Sequence, residues 1–181
     1  MIKKLMIDSG LGGFNSCAYL DGGEQRPHAH QIGTALAREL THRGFEVLLA
    51  SEREELLGQN GGDGRPARCA ALAKRWGADC LLRICVGAAR LPNEGSARGI
   101  VGGRGRSLAL SESVLSALER QGDLRAEGTR CTSRYLLLRR ASCPAMILFL
   151  GLPFALQERQ EAWGAEKYAR LIANGVERWA Q

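Results

Sequence analysis

The chain contains few of the residues and segments that mark a membrane protein, a secreted protein or a histidine-rich metal site. Only three of its 181 residues are histidine and 6% are aromatic. No apolar run approaches the length of a membrane-spanning helix. The N-terminus has a basic pair, Lys3 and Lys4, but no long apolar segment and no small-residue cleavage site. We therefore expect no membrane span, no secretory signal and a cytoplasmic location.

The six cysteines form no Cys-x-x-Cys pair, so the usual sequence sign of a zinc knuckle or a thiol redox site is absent. Several cysteines lie inside apolar runs, where a cysteine behaves as a small hydrophobic residue. Because thiols stay reduced in the cytosol, we expect these cysteines to be reduced and buried.

The formal net charge is +6, and nearly all of the positive charge is arginine, since lysine occurs at only four positions. Such an excess is compatible with a nucleic acid or an anionic polymer such as cell wall as partner. The basic residues are nevertheless scattered along the chain and interleaved with acidic ones, which is typical of a solvated surface. We favour the solvated surface and expect no nucleic-acid partner.

The first half of the chain is predicted to alternate strands and helices. The predicted elements are a strand over 4–7, a helix from Pro27 that Gly44 ends, a strand over 45–49, a helix over 66–76 and a strand over 80–86. This order is typical of a mostly parallel sheet with helices on both faces. Since the length suits one domain, we predict a single α/β domain over 1–181.

The second half gives weaker signals. The glycine-rich segment 87–106 is predicted to be a mobile loop at the edge of the site, and its Gly102–Arg106 fragment lacks the lysine and Ser/Thr of a P-loop. A helix capped by Ser107 follows, then strands over 135–138 and 145–150 and an amphipathic helix over 163–179. Trp163 and Trp179 of that helix would suit a homo-oligomer if exposed, and they are equally well explained as core residues.

The most informative stretch is Met6-Ile7-Asp8-Ser9-Gly10-Leu11-Gly12-Gly13, where the first predicted strand opens into a glycine-rich turn. In open α/β sheets, ligands are usually met at the carboxyl ends of strands. The loop resembles the first metal-binding loop of the zinc-dependent N-acetylmuramoyl-L-alanine amidases of the type 3 family, Asp-x-Gly-His-Gly-Gly. Leu11 stands where that family has a zinc-binding histidine.

The resemblance continues, in order, along nearly the whole chain. Residues 44–47 match the family's Gly-x-x-Val approach to the second strand. Residues 77–88 correspond to the family's Ala-Asp pair followed by Ser-Ile-His-x-Asn-Ala, and read Ala78-Asp79 and then Arg83-Ile84-Cys85-Val86-Gly87-Ala88. Residues 144–152 correspond to the family's Pro-Ala-x-Leu-x-Glu-x-Gly-Phe and read Pro-Ala-Met-Ile-Leu-Phe-Leu-Gly-Leu. Each match is weak alone, but the ordered set is fairly specific. It implies the α/β fold of the type 3 amidases, a central twisted sheet flanked by helices on both faces.

In this family two histidines and a glutamate bind zinc, and a second, late glutamate takes a proton from the zinc-bound water. The corresponding positions here are Leu11, Gln25, Cys85 and Phe149, and a slip of one residue would put Glu24 at the glutamate position. At least three of the four roles are lost. The resemblance therefore implies a degenerate member with no catalytic residue, no metal and no cofactor. Leucine and phenylalanine are large and apolar enough to fill the old pocket, and the sequence leaves open whether the cleft is filled or open.

Two alternatives use the same region. A rewired zinc site would combine Cys85 and Glu24 with His28 or His30, or with Cys17. In the other alternative, Cys85 is a nucleophile with His28 or His30 as its base. For Cys85, a buried and inert thiol is the simpler interpretation.

Three functions remain open on the sequence. The leading one is a pseudoenzyme that binds a protein partner or a peptidoglycan fragment. The second is an active zinc hydrolase of peptidoglycan amide bonds with a rewired metal site. The third is a structural protein that oligomerises.

Overall fold

The computed structural model describes residues 3–9, 26–53, 64–89, 94–121, 124–153 and 164–181. Within these residues the chain forms a six-stranded sheet with helices on both of its faces. The elements in chain order are β1 (Lys4–Asp8), α1 (Arg26–His42), β2 (Glu46–Leu49), a 3₁₀ turn (Ala50–Glu52), α2 (Gly64–Trp76), β3 (Cys80–Ala88), β4 (Gly95–Val101), α3 (Arg106–Gln121), β5 (Leu124–Cys131), α4 (Leu136–Arg140), β6 (Ala145–Leu152) and α5 (Ala165–Ala180).

The sheet order is β2-β1-β3-β6-β4-β5. Strands β2, β1, β3 and β6 run parallel, β4 is antiparallel to β6, and β5 is parallel to β4. The carboxyl ends of β1, β3 and β6 therefore share one edge of the sheet, called here the carboxyl edge. The carboxyl ends of β4 and β5 lie at the opposite edge, called here the amino edge. This arrangement confirms the predicted mostly parallel α/β fold.

Alternate residues of the buried strands point into two hydrophobic layers. Helices α1, α3 and α5 cover one face, where Ile7, Leu82 and Leu148 are fully buried. Helices α2 and α4 cover the other face, where Met6 and Leu81 are fully buried. The predicted helix ends are confirmed, because Gly44 and Gly77 have φ values of +87° and +74°, which glycine adopts at little cost.

The prediction that residues 87–106 form a loop is wrong, because β4 occupies 95–101. The glycines of β4 interrupt its hydrophobic pattern, so the pattern does not predict a strand there. One of these glycines, Gly99, is nevertheless required by packing. A Cβ at Gly99 would come within 1.8 Å of Ser111 Oγ, so α3 can lie against β4 only where that side chain is missing. The Gly102–Arg106 loop also lies at the amino edge, away from the predicted site.

The prediction of a strand over 135–138 is wrong as well. The apolar run there starts α4, and the strand of this region is β5, over residues 124–131. Strand β5 is an edge strand with mostly exposed or half-exposed residues, so it carries almost no apolar signal.

Asp79 joins the starts of β1 and β3 at the amino edge. Its Oδ2 atom accepts hydrogen bonds from the backbone N–H groups of Lys3 and Lys4 at 2.8 and 2.9 Å. The bond from Lys3 first, and then that from Lys4, lowers the pKa of Asp79 below its ordinary value. The charged carboxylate therefore contributes to the stability of the fold.

We expect Asp79→Ala to lower the free energy of unfolding by about 1–2 kcal/mol at neutral pH, because two backbone donors lose a charged acceptor. Since the folded-state pKa is lowered, the advantage of the wild type is complete above about pH 4 and is lost as the pH falls through the folded pKa. Urea unfolding of both proteins across this pH range tests the prediction. Asp79→Asn is the control that keeps an acceptor without charge, and a pH-independent difference between wild type and Asp79→Ala would contradict the prediction.

Candidate functional site

A buried ionic network lies on the face of the sheet covered by α2. Asp8 ends β1 and pairs in register with Arg83 of β3, whose Nη1 donates to Asp8 Oδ2 at 2.6 Å. From the first turn of α2, Arg65 donates through Nη2 to Asp8 Oδ1 at 3.4 Å. The side chains of Arg65, Arg83 and Asp8 are 3%, 2% and 0% exposed. Such a network is stable only because its opposite charges meet inside the protein.

Cys69 of α2 is a free, fully buried cysteine near this network. Burial first, and then the Asp8 carboxylate, raises the pKa of its thiol well above the ordinary range. Burial likewise raises the pKa of the fully buried, free Cys80. Both side chains therefore stay neutral thiols and pack as small hydrophobic residues, as the sequence predicts.

Two of the four predicted site positions lie side by side. Cys85 of β3 pairs in register with Phe149 of β6, and both belong to the buried layer under α2. On its other side Phe149 pairs with Arg98 of β4, whose guanidinium carbon lies 5.6 Å from the centre of the phenyl ring. Residues assigned to one site from the sequence thus meet on adjacent strands.

Cys85 is disulfide-bonded, whereas Cys69, Cys80, Cys131 and Cys143 are free. The prediction of a reduced thiol is therefore wrong for Cys85. A disulfide sulfur offers no thiolate to bind zinc or to attack a carbonyl carbon. In this state Cys85 fills neither of the roles that the two alternatives gave it.

The other predicted positions, Leu11 and Gln25, lie outside the described residues, as do Glu24 and Cys17 of the alternatives. Their contribution to the site stays a prediction. At the positions that the structure does describe, the residues do not fit zinc, because a phenyl ring and a disulfide sulfur supply no ligand to it. Across the described part of the chain, no three His, Cys, Asp or Glu side chains come together as a metal-binding group.

The predicted partner histidines lie on α1, which packs on the opposite face of the sheet from Cys85. His30 Nδ1 lies 3.3 Å from Ser51 Oγ, and Ser9 Oγ donates to the same Ser51 oxygen at 3.2 Å. His28 is buried, with 6% of its surface exposed. His30 is therefore engaged by the turn after β2, not by Cys85.

The fold matches that of solved N-acetylmuramoyl-L-alanine amidases. AmiC2 of Nostoc punctiforme superposes with a TM-score of 0.74 at 19% identity, covering 99% of this chain and 97% of that chain. The CwlD amidase from Clostridioides difficile, solved in complex with the GerS lipoprotein, gives 0.73 at 16% identity, covering 98% of each chain. The catalytic domain of CwlV from Bacillus (Paenibacillus) polymyxa var. colistinus gives 0.74 at 16% identity, covering 99% of this chain and 98% of that chain.

No protein-family model and no curated protein sequence matches this chain. At the identities of the solved amidases, the likeness shows the fold alone.

We expect Asp8→Asn to destabilise the protein by about 3–5 kcal/mol, because it leaves two buried guanidinium groups without their carboxylate. Arg83→Met should cost less, since Arg65 still pairs with Asp8. In the Asp8→Asn, Arg83→Met double variant the loss of stability should be smaller than the sum of the two single losses, because removing Arg83 leaves one fewer buried guanidinium without its carboxylate. Urea unfolding of the four proteins measures this coupling, and additive effects would show that the Asp8–Arg83 contact contributes nothing to stability.

Peptide mapping by mass spectrometry tests the state of the cysteines. Without reduction, the peptide containing Cys85 should run as a cross-linked species, and reduction should release it. In the native protein, iodoacetamide should modify the exposed Cys131 readily and should leave Cys69 and Cys80 unmodified, since burial keeps these two thiols neutral. A free Cys85 peptide before reduction, or rapid native labelling of Cys69, would contradict these assignments.

Proposed function

We propose that this protein has the amidase fold without amidase catalysis and acts by binding a protein partner or a peptidoglycan fragment. The observation that carries the proposal is the Cys85–Phe149 pair, at two of the four positions where the type 3 amidases place zinc ligands and the catalytic base. Each of these side chains is chemically unable to fill the family's role at its position.

Zinc-assisted hydrolysis of an amide bond needs three protein ligands, an open coordination position and a base for the bound water. Phe149 has no group that accepts a proton. Cys85 is disulfide-bonded and therefore has no thiolate to bind a metal. Asp8, the buried carboxylate nearby, is already paired with Arg83 and Arg65. Leu11, predicted at the first histidine position, would remove a further ligand.

Binding of another protein is a natural use of this fold, since CwlD is seen in complex with the GerS lipoprotein. The amidases of the same fold are named for their action on N-acetylmuramoyl-L-alanine. For this chain we propose the corresponding ligands, a protein or a cell-wall fragment that is held without being cut.

The oligomer alternative is weakened by the packing of the final helix. The apolar stripe of α5 is buried within the subunit, against α1 and α3. Trp179 is half-buried, its Nε1 donates to the carbonyl oxygen of Arg106 at 3.0 Å, and the Arg106 guanidinium carbon lies 5.1 Å from the centre of its ring. The described part of this helix therefore leaves little apolar surface for a second subunit.

We expect purified protein, incubated with peptidoglycan and zinc, to release no stem peptides, while an active amidase domain of the same fold releases them in parallel. Metal analysis of protein prepared without chelator and without a histidine tag should find no equivalent of zinc. Co-sedimentation with insoluble peptidoglycan measures fragment binding separately from cleavage. Released stem peptides, or one bound zinc ion per chain, would overturn the proposal in favour of the rewired hydrolase.

A further inference from the structure

The positive charge of the chain is concentrated in two segments. Residues 95–111 and 128–153 contain seven arginines and no acidic residue. Since the totals are 25 basic and 19 acidic residues, the rest of the chain keeps 18 basic and 19 acidic residues and is nearly neutral. The net charge of +6 is therefore a property of these two segments and not of the surface as a whole.

The fold brings both segments to the amino edge of the sheet. Val101, at the end of β4, pairs with Cys131, at the end of β5, and its carbonyl oxygen accepts a hydrogen bond from the Thr132 N–H at 2.9 Å. The loop after β4 passes so close to α4 that a Cβ at Gly102 would lie 3.1 Å from the Leu138 carbonyl oxygen. The loop, the end of β5 and α4 thus form one continuous surface.

Six of the seven arginines are exposed on this surface, which we call the arginine end: Arg104, Arg106, Arg130, Arg134, Arg139 and Arg140. The seventh, Arg98, points instead to the Phe149 ring. The ion pairs found among the described residues involve none of Arg104, Arg130, Arg134 and Arg139. The guanidinium groups of these four residues are therefore available to bind anions.

We propose that the arginine end binds the phosphate headgroups of an anionic lipid surface. Guanidinium groups bind phosphate oxygens through paired hydrogen bonds, and several of them near one membrane add their attractions. Tyr135 and Leu136, half-buried between Arg134 and Arg139, place an amphipathic and an apolar side chain among the charges. Arginine and tyrosine side chains beside apolar ones are favoured where lipid headgroups meet water.

A nucleic acid is the other polyanion that such a surface could meet, and the geometry argues against it. Binding of single strands relies on open aromatic faces that stack on bases. The Arg106 guanidinium carbon lies 5.1 Å from the centre of the Trp179 ring, whose N–H donates to the Arg106 carbonyl oxygen, and Tyr135 is half-buried. Recognition of a duplex commonly uses a helix in the major groove, and the helix that carries Arg139 and Arg140, α4, has only five residues, of which Leu137 and Leu138 are buried.

The arginine end lies at the opposite edge of the sheet from Asp8 and Ser9 at the end of β1. A protein held at a membrane by its amino edge therefore presents its carboxyl edge to the surrounding solution. The proposed lipid contact is independent of the proposed function, because it uses none of the residues at the amidase-like positions.

Co-sedimentation with lipid vesicles tests the inference. Wild-type protein should bind vesicles of phosphatidylglycerol and phosphatidylcholine, should not bind phosphatidylcholine alone, and should be released as salt is raised. A triple variant, Arg130→Gln with Arg134→Gln and Arg139→Gln, should bind about 100-fold more weakly, at about fivefold for each arginine near the surface.

The matched control removes the same charge elsewhere, through Arg120→Gln, Lys167→Gln and Arg170→Gln, three exposed residues outside the arginine end. This variant should bind within about threefold of the wild type if location rather than net charge matters. Circular dichroism should show both variants folded, since all six side chains are exposed. Equal losses in the two variants, equal binding to phosphatidylcholine, or tighter binding to a mixed-sequence oligonucleotide than to vesicles at the same salt would each overturn the inference.

Discussion

The buried carboxylate of Asp8 is the constraint on which the sheet face under α2 depends. This face carries Cys85 and Phe149 and is called here the site face. A charge with no exposed surface is tolerated only where opposite charges compensate it, and here the compensation comes from Arg83 and Arg65. One carboxylate thereby fixes the end of β1, the middle of β3 and the first turn of α2 relative to one another. Because both guanidinium groups converge on it, Asp8 organises structure and is not free to act as a base.

Packing and a disulfide, rather than buried ion pairs, hold Cys85 and Phe149 on that face. Phe149 takes up the position between Cys85 and Arg98, and the disulfide at Cys85 ties this strand covalently to another part of the chain. A phenyl ring under a guanidinium group gains from both apolar burial and cation–π attraction. The described residues Cys85, Arg98 and Phe149 are therefore held by packing, a disulfide and a cation–π contact.

Hydrophobic periodicity with glycine stops was sufficient to predict β1, α1, β2, α2 and β3, because Gly44 and Gly77 end clean apolar patterns. It failed where the pattern is ambiguous: β4 is interrupted by glycines, β5 is a polar edge strand, and an apolar run as short as that of α4 fits a strand or a helix equally well. The adjacency of Cys85 and Phe149 was predictable from the family's motifs. The role of Arg65 was not, since it depends on how α2 docks, and cysteine spacing does not specify a disulfide.

The antiparallel strand β4 helps to place the chain's excess of arginine at one edge of the sheet, which the order of charges along the sequence does not predict. Arginines that alternate with acidic residues along most of the chain are unaccompanied in the two segments that β4 and β5 carry to the amino edge. The eight residues of β6 separate the two edges by about 23 Å. Over that distance exposed charges are largely screened at physiological salt, so the arginine end and the carboxyl edge of the sheet are electrostatically independent. Binding of the proposed anionic surface at the amino edge is therefore expected to leave the electrostatic environment of the carboxyl edge unchanged.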